Sequence, residues 1–161
     1  MESEYGKGAT FFFSIPVKGD PNGSNVYQDQ VPDLYDSSGI RKIKVLIVDD
    51  NNISKMLLSK SLETISDDIL CAENGNEAVS ICRNDSAIDL ILMDIHMSGI
   101  DGYEAVRLIR QFNKEVIIIA QTATDLSLEK EKAILSGFNE FILKPINNDL
   151  LFGYLNKYFR N

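Results

Sequence analysis

After residue 42 the chain keeps one rhythm: a short apolar run, a polar break, then a stretch where apolar residues recur every three or four positions. Unbroken apolar runs suit strands buried on both faces, and the longer recurrence suits helices packed by one face. The strand-like runs are residues 43–48, 68–72, 88–93, 116–120 and 138–143. Between them the spacing predicts helices. The first begins near Ile53, where Asn51 and Asn52 can cap it, with Ile53, Met56, Leu57 and Ile65 recurring among Lys60 and Ser61. The second follows the Asn74-Gly75 turn through Ala78, Val79 and Cys82. The third starts at Asp101-Gly102, with Ala105, Val106, Leu108 and Ile109 on one side. A fourth is expected from about Leu126 to Leu135, closing at Gly137, and a last one from about Asn147 to Phe159.

Strand and helix thus alternate five times with short connections. That pattern predicts an α/β domain with a five-stranded parallel sheet and helices on both faces. Right-handed crossovers favour a doubly wound, flavodoxin-like strand order 2-1-3-4-5. The carboxyl ends of all five strands then share one rim, where ligands collect in such sheets. The run ending at Met93 stops at a single carboxylate, Asp94, and turn pairs follow at Ser98-Gly99 and Asp101-Gly102. Asp94 is therefore expected at the tip of a central strand. Capping the next helix is the other role open to it.

The first 41 residues break the rhythm. Residues 18–41 hold Gly19, Pro21, Asn22, Gly23, Ser24, Pro32 and Gly39 with few apolar residues, and read as a linker. Before them, Gly6 and Gly8 suit a tight turn, and residues 10–15 are strand-like, with Phe11, Phe12 and Phe13 in a row. A simple hairpin accounts for the pattern. It also resembles the closing strands of a histidine-kinase ATP-binding domain, where Gly-x-Gly with a hydroxyl residue leads to an aromatic strand ending in Pro. Here Gly6-Lys7-Gly8-Ala9-Thr10 departs by one residue, and Pro16 ends the run. The resemblance implies that residues 1–17 are a kinase-domain remnant, that 42–161 form the second domain, and that Met1 begins a piece cut from a longer protein. The Asn and Asp-x-Gly-x-Gly motifs such a domain uses for ATP and magnesium are absent, so neither ATP binding nor kinase activity is expected of this chain.

Composition adds limits. At 161 residues and 44% hydrophobic, the chain suits one domain plus an extension. A net charge of −8 argues against a nucleic-acid partner, which would need a basic face. Cys71 and Cys82 fit no zinc or redox spacing and are expected to be reduced core residues in a cytoplasmic setting. No run is long enough to cross a bilayer and no signal-peptide pattern opens the chain, so direct membrane contact is not expected, whether or not a longer parent is anchored.

The chemistry lies at the strand ends. Strand one ends in Asp49-Asp50, strand three in Asp94, strand four in Thr122 and strand five in Lys144. Three carboxylates on one rim repel one another, and a divalent cation such as Mg2+ removes the conflict. Lys144 adds a cation suited to a phosphate oxygen, and Thr122 adds a hydroxyl donor. Metal, lysine and hydroxyl around one acid make a phosphoryl-transfer site with Asp94 as nucleophile. Each residue also has a plainer role: Asp49 and Asn51 as caps, Thr122 in a turn, Lys144 as a solvated surface charge.

Residues 43–160 resemble a two-component response-regulator receiver domain. The match runs through Val45 to Asn51, Leu90 to Met97, Asp101-Gly102-Tyr103-Glu104, Thr122-Ala123 and Lys144-Pro145, in order. By that resemblance Asp94 is the phosphoacceptor. Asp50, Asp94 and the backbone carbonyl of His96 bind magnesium directly, and Asp49 holds it through water. Thr122 and Phe141 form a switch pair, and Lys144 contacts the phosphoryl group. Ser98 stands where the family usually has proline, and Gln121 occupies a variable position. His96 is the only histidine, so the donor is expected to be a phosphohistidine-bearing kinase or phosphotransfer domain. Two rival functions remain: a magnesium-dependent phosphohydrolase with an aspartyl nucleophile, and a receiver fold that serves only as an interaction module. Oligomeric state and phosphoryl lifetime are not legible.

Overall fold

The computed structural model describes residues 39–123 and 135–160, and the backbone of residues 2–4 and 8–10. The chain divides into two compact units, Met1–Pro32 and Asp33–Asn161. In the first unit, strands β1 (Glu2–Glu4) and β2 (Gly8–Thr10) pair antiparallel, with Glu2 opposite Thr10 and Glu4 opposite Gly8. Gly8 therefore lies in the ladder rather than in the expected turn. The rest of the aromatic strand expected over residues 10–15 lies outside the described residues.

The second unit carries the parallel sheet. Its strands are β3 (Lys44–Val48), β4 (Asp68–Ala72), β5 (Leu90–Asp94), β6 (Ile117–Thr122) and β7 (Glu140–Leu143). They lie in the order β4-β3-β5-β6-β7 with every pair parallel, which is the expected 2-1-3-4-5 arrangement. Alternating side chains feed two cores. Leu46, Val48, Ile91, Met93, Ile118 and Ala120 pack under α2 (Gly75–Asn84) and α3 (Gly102–Arg110). Val45, Ile47, Leu90, Leu92, Ile119 and Ile142 pack under α1 (Asn52–Leu62) and α4 (Asn148–Phe159). Covering both faces explains why the strand sequences run apolar without alternation.

The helix starts follow capping chemistry. Asn51, Asn74, Asp101 and Asn147 each accept backbone N–H bonds from the turn they open. The helix expected from Leu126 lies outside the described residues, except that Leu135 and Ser136 are helical. Gly137, expected to close it, has φ +103°, a conformation that favours glycine. The unit also reaches back before β3. Ile40 bridges Arg160, and Arg41 N–H donates to the Phe159 carbonyl at 3.2 Å. No described helix is long and apolar enough to cross a membrane.

Two expectations need correction. Cys82 is buried, but Cys71 is exposed, because β4 is the sheet edge and Cys71 lies on the side that the helices leave open. In α1 the buried positions are Lys55, Leu58 and Leu62, while Ile53, Met56 and Leu57 face solvent. The helix ends at Leu62, and Ile65 is buried beyond it.

Candidate active site

Each strand tip delivers its side chain for a local reason. β3 leaves the sheet at Asp49, whose Oδ1 accepts the Asn51 N–H at 2.8 Å and bends the chain into α1. Asn51 then caps that helix through Ile53 N–H at 2.9 Å and Ser54 N–H at 3.2 Å. Asp49 is thus part of the turn and Asn51 is the cap, which leaves Asp49 Oδ2 available to the rim. Asp94 ends β5 opposite Gln121, and its Oδ1 accepts the His96 N–H at 3.0 Å. It does not cap the next helix, because Asp101 does so by accepting Glu104 N–H at 2.8 Å. Gly102 closes this loop: a Cβ there would run into the Asp94 carbonyl oxygen.

Lys144 emerges two strands away from Asp94. Its backbone N–H donates to the Thr122 carbonyl at 2.8 Å, and its peptide bond to Pro145 is cis. The side chain crosses the rim to donate to Asp94 Oδ2 at 2.5 Å and Asp49 Oδ2 at 2.7 Å. The solvated-lysine reading is therefore excluded. Burial pulls the ammonium's pKa down, but the two carboxylate hydrogen bonds outweigh it and hold Lys144 above the ordinary lysine value. It stays charged throughout the physiological range.

Asp50 completes the group. One carboxylate oxygen from each of Asp49, Asp50 and Asp94 lies within 4.8 Å of the others, with Asp49 and Asp94 buried and Asp50 exposed. Three carboxylates and the one ammonium leave two negative charges in excess. Hard oxygen donors with that charge and one open side fit Mg2+. Asp50 would hold the ion from the solvent side, and Asp49 and Asp94 from within. The arrangement can therefore place a cation and an ammonium around one nucleophilic carboxylate.

The remaining expected residues lie close by in the sheet. Thr122 is fully buried at the tip of β6, paired with Leu143 and one strand from Asp94. Phe141 is half-buried on β7, opposite Ala120, and packs against the α2/α3 core. His96 follows Asp94 by two residues on the same loop. Sequence reasoning missed two features. Lys55, though charged, is buried, with Glu73 at 3.7 Å. Gln121 is fully buried with neither side-chain polar atom hydrogen-bonded. The signal for Gln121 was present, since one polar residue interrupts an otherwise apolar strand.

Comparison with known proteins agrees with this geometry. Residues 45–156 match the response regulator receiver domain family. The osmolarity two-component system protein SSK1 of Saccharomyces cerevisiae is 32% identical over 150 residues, covering 74% of this chain and 21% of that protein. The chain spans between 6% and 21% of the length of the first curated relatives that it matches. Among solved structures, the Ssk1 receiver domain crystallised with the histidine phosphotransfer protein Ypd1 from Saccharomyces cerevisiae has a TM-score of 0.69 at 35% identity. That match covers 74% of this chain and 90% of the other. The receiver domain of sensor histidine kinase PA1611 from Pseudomonas aeruginosa, with magnesium in its active-site cleft, has a TM-score of 0.66 at 28% identity, covering 73% and 97%.

Proposed function

Because the chain belongs to the response regulator receiver family, a family of phosphorelay domains that bind Mg2+ at an acidic pocket, we propose that Asp94 is its phosphoacceptor and Lys144 its phosphoryl-contacting residue. Asp50, Asp94 and the His96 carbonyl are the direct metal ligands in this reading, and Asp49 acts through water. The observation that carries it is the Lys144 ammonium held between Asp94 and Asp49 within a three-carboxylate cluster.

The donor is a phosphohistidine on a kinase or phosphotransfer domain, as the pairing of the related Ssk1 receiver with Ypd1 suggests. An Asp94 carboxylate oxygen attacks phosphorus in line. The P–N bond breaks, its electron pair stays on the imidazole nitrogen, and an acyl phosphate remains on Asp94. Bound magnesium neutralises charge on the phosphoryl oxygens. Lys144 gives up its bond to Asp94 Oδ2 and takes a phosphoryl oxygen instead, keeping Asp49 as its second partner. The His96 N–H steadies the other carboxylate oxygen. The product gains about 1.5 to 2 negative charges. Thr122 is drawn toward them and Phe141 packs behind it, which shifts the last strands and helices between two arrangements. Water then attacks the acyl phosphate, releasing inorganic phosphate and restoring the carboxylate.

Labelled acetyl phosphate with Mg2+ tests this assignment. The chain takes up label, chelation by EDTA stops it, and Asp94→Asn takes up none. Undiminished labelling of Asp94→Asn sinks the assignment.

Residues 1–17 fit a second part of the reading, as the closing strands of a kinase ATP-binding domain joined by residues 18–41. The β1–β2 antiparallel pair and the following aromatic run support it. In a longer cytoplasmic hybrid kinase, the phosphohistidine would reside upstream on the same polypeptide.

A further inference from the structure

α1 carries two apolar stripes. Leu58 and Leu62 face the sheet, while Ile53, Met56 and Leu57 are 66%, 64% and 60% exposed. Beside the outer stripe lies a groove of about 410 Å3, between α1 and the segment that follows β7. Leu57, Leu58, Pro145 and Ile146 form its apolar walls, and Lys144 lines it as well. Gln121 also lines it, fully buried, with neither Oε1 nor Nε2 hydrogen-bonded to the protein. Ile119 points into the α1/α4 core, so Gln121, two residues further along the strand, points to the same side. A buried amide without partners is costly, and the groove is the side from which partners can reach it.

We propose that this groove seats a carboxamide side chain, Gln or Asn, from the phosphohistidine-bearing domain, and that Gln121 selects it. The inference rests on the phosphoacceptor reading above. A phosphohistidine must come within bonding distance of Asp94, so its domain covers the rim. Lys144 belongs to both the rim and the groove, which makes the two surfaces continuous. The outer stripe of α1 supplies apolar contact beside them. Gln121 offers one acceptor and one donor group, and a second amide satisfies both. A carboxylate would oppose Oε1 and compete for Lys144. A cationic side chain would be repelled by the Lys144 ammonium.

Phosphorylated Ypd1 serves as the protein donor and acetyl phosphate as a donor too small to use the groove. Gln121→Met keeps side-chain volume and removes the amide. It is expected to slow transfer from Ypd1 roughly tenfold through KM, the scale of a lost hydrogen-bonded contact, with acetyl phosphate labelling unchanged. Titrating unphosphorylated Ypd1 into the 15N-labelled chain is expected to shift the Gln121 side-chain amide resonance. Equal transfer to both chains, a parallel loss with acetyl phosphate, or an unmoved resonance overturns the proposal. So does a Gln121 resonance that moves with the chain's own concentration alone, which would make a second copy the occupant. If Ypd1 fails to phosphorylate the unmutated chain while acetyl phosphate labels it, the docking claim falls and the phosphoacceptor reading stands. If acetyl phosphate also fails, the phosphoacceptor reading itself falls.

Discussion

At the residue scale, environment separates side chains of the same type. Asp49, Asp50 and Asp94 are alike in sequence, yet one shapes a turn, one faces solvent and one ends the central strand. The two cysteines diverge in the same way. Burial, with Asp85 nearby, pushes the Cys82 thiol up to about 11, whereas Cys71 lies exposed on the edge strand. Iodoacetamide at pH 8 is therefore expected to alkylate Cys71 in the folded protein and Cys82 only after unfolding, as peptide mass spectrometry can check. The sign for stability follows from the raised value. The unfolded thiol ionises near its ordinary pKa of 9.0, and the folded one ionises near 11. The contribution of Cys82 is thus intact below pH 9 and is lost as pH rises through 11. Equal alkylation of both thiols in the native state would contradict the burial.

At the scale of elements, the site depends on how strands meet helices. Gly102 opens α3 directly over the Asp94 carbonyl, so an added methyl must displace one of them. Gly153 lies in α4 with open space around it. The same substitution should act in opposite directions. Gly102→Ala is expected to cost about 1–3 kcal/mol by overpacking, and to slow acetyl phosphate labelling because Asp94 moves. Gly153→Ala is expected to gain about 0.5–1 kcal/mol from helix propensity. Urea midpoints with unchanged slopes measure both. A neutral Gly102→Ala would mean that the loop after Asp94 gives way freely. Capping was readable at this scale, because Asn and Asp at helix starts have few other local uses. The buried face of α1 was not. Ile53, Met56 and Leu57 have the right spacing for a core face, and the local pattern does not choose between that stripe and the one carrying Leu58 and Leu62.

At the scale of the molecule, the α/β unit begins before β3. Arg41 pairs with Asp89 at 2.6 Å, and Ile40 bridges Arg160 at the far end of the chain. Residues 39–161 produced alone are expected to fold and to take acetyl phosphate label at the rate of the full chain. A collapse in labelling would place a required contact within residues 1–38. Within this unit the five strands, their order and the acidic rim were legible beforehand, because parallel strands buried on both faces must be apolar and cannot carry charge until they end. Charged and polar residues at four tips therefore marked the rim without any coordinates.

The local pattern of the chain determined where strands and helices form and which residues end them. Those are properties of a residue and its near neighbours, governed by periodicity, turns and caps. Tertiary structure decided the rest. It carried Lys144 across two strands to bridge Asp49 and Asp94, turned one stripe of α1 outward, and enclosed Gln121 beside a groove. Each of these depends on distances between segments far apart in the chain. Such distances are set by packing, in which equally apolar stripes compete and only the assembled sheet and its neighbouring helices select one.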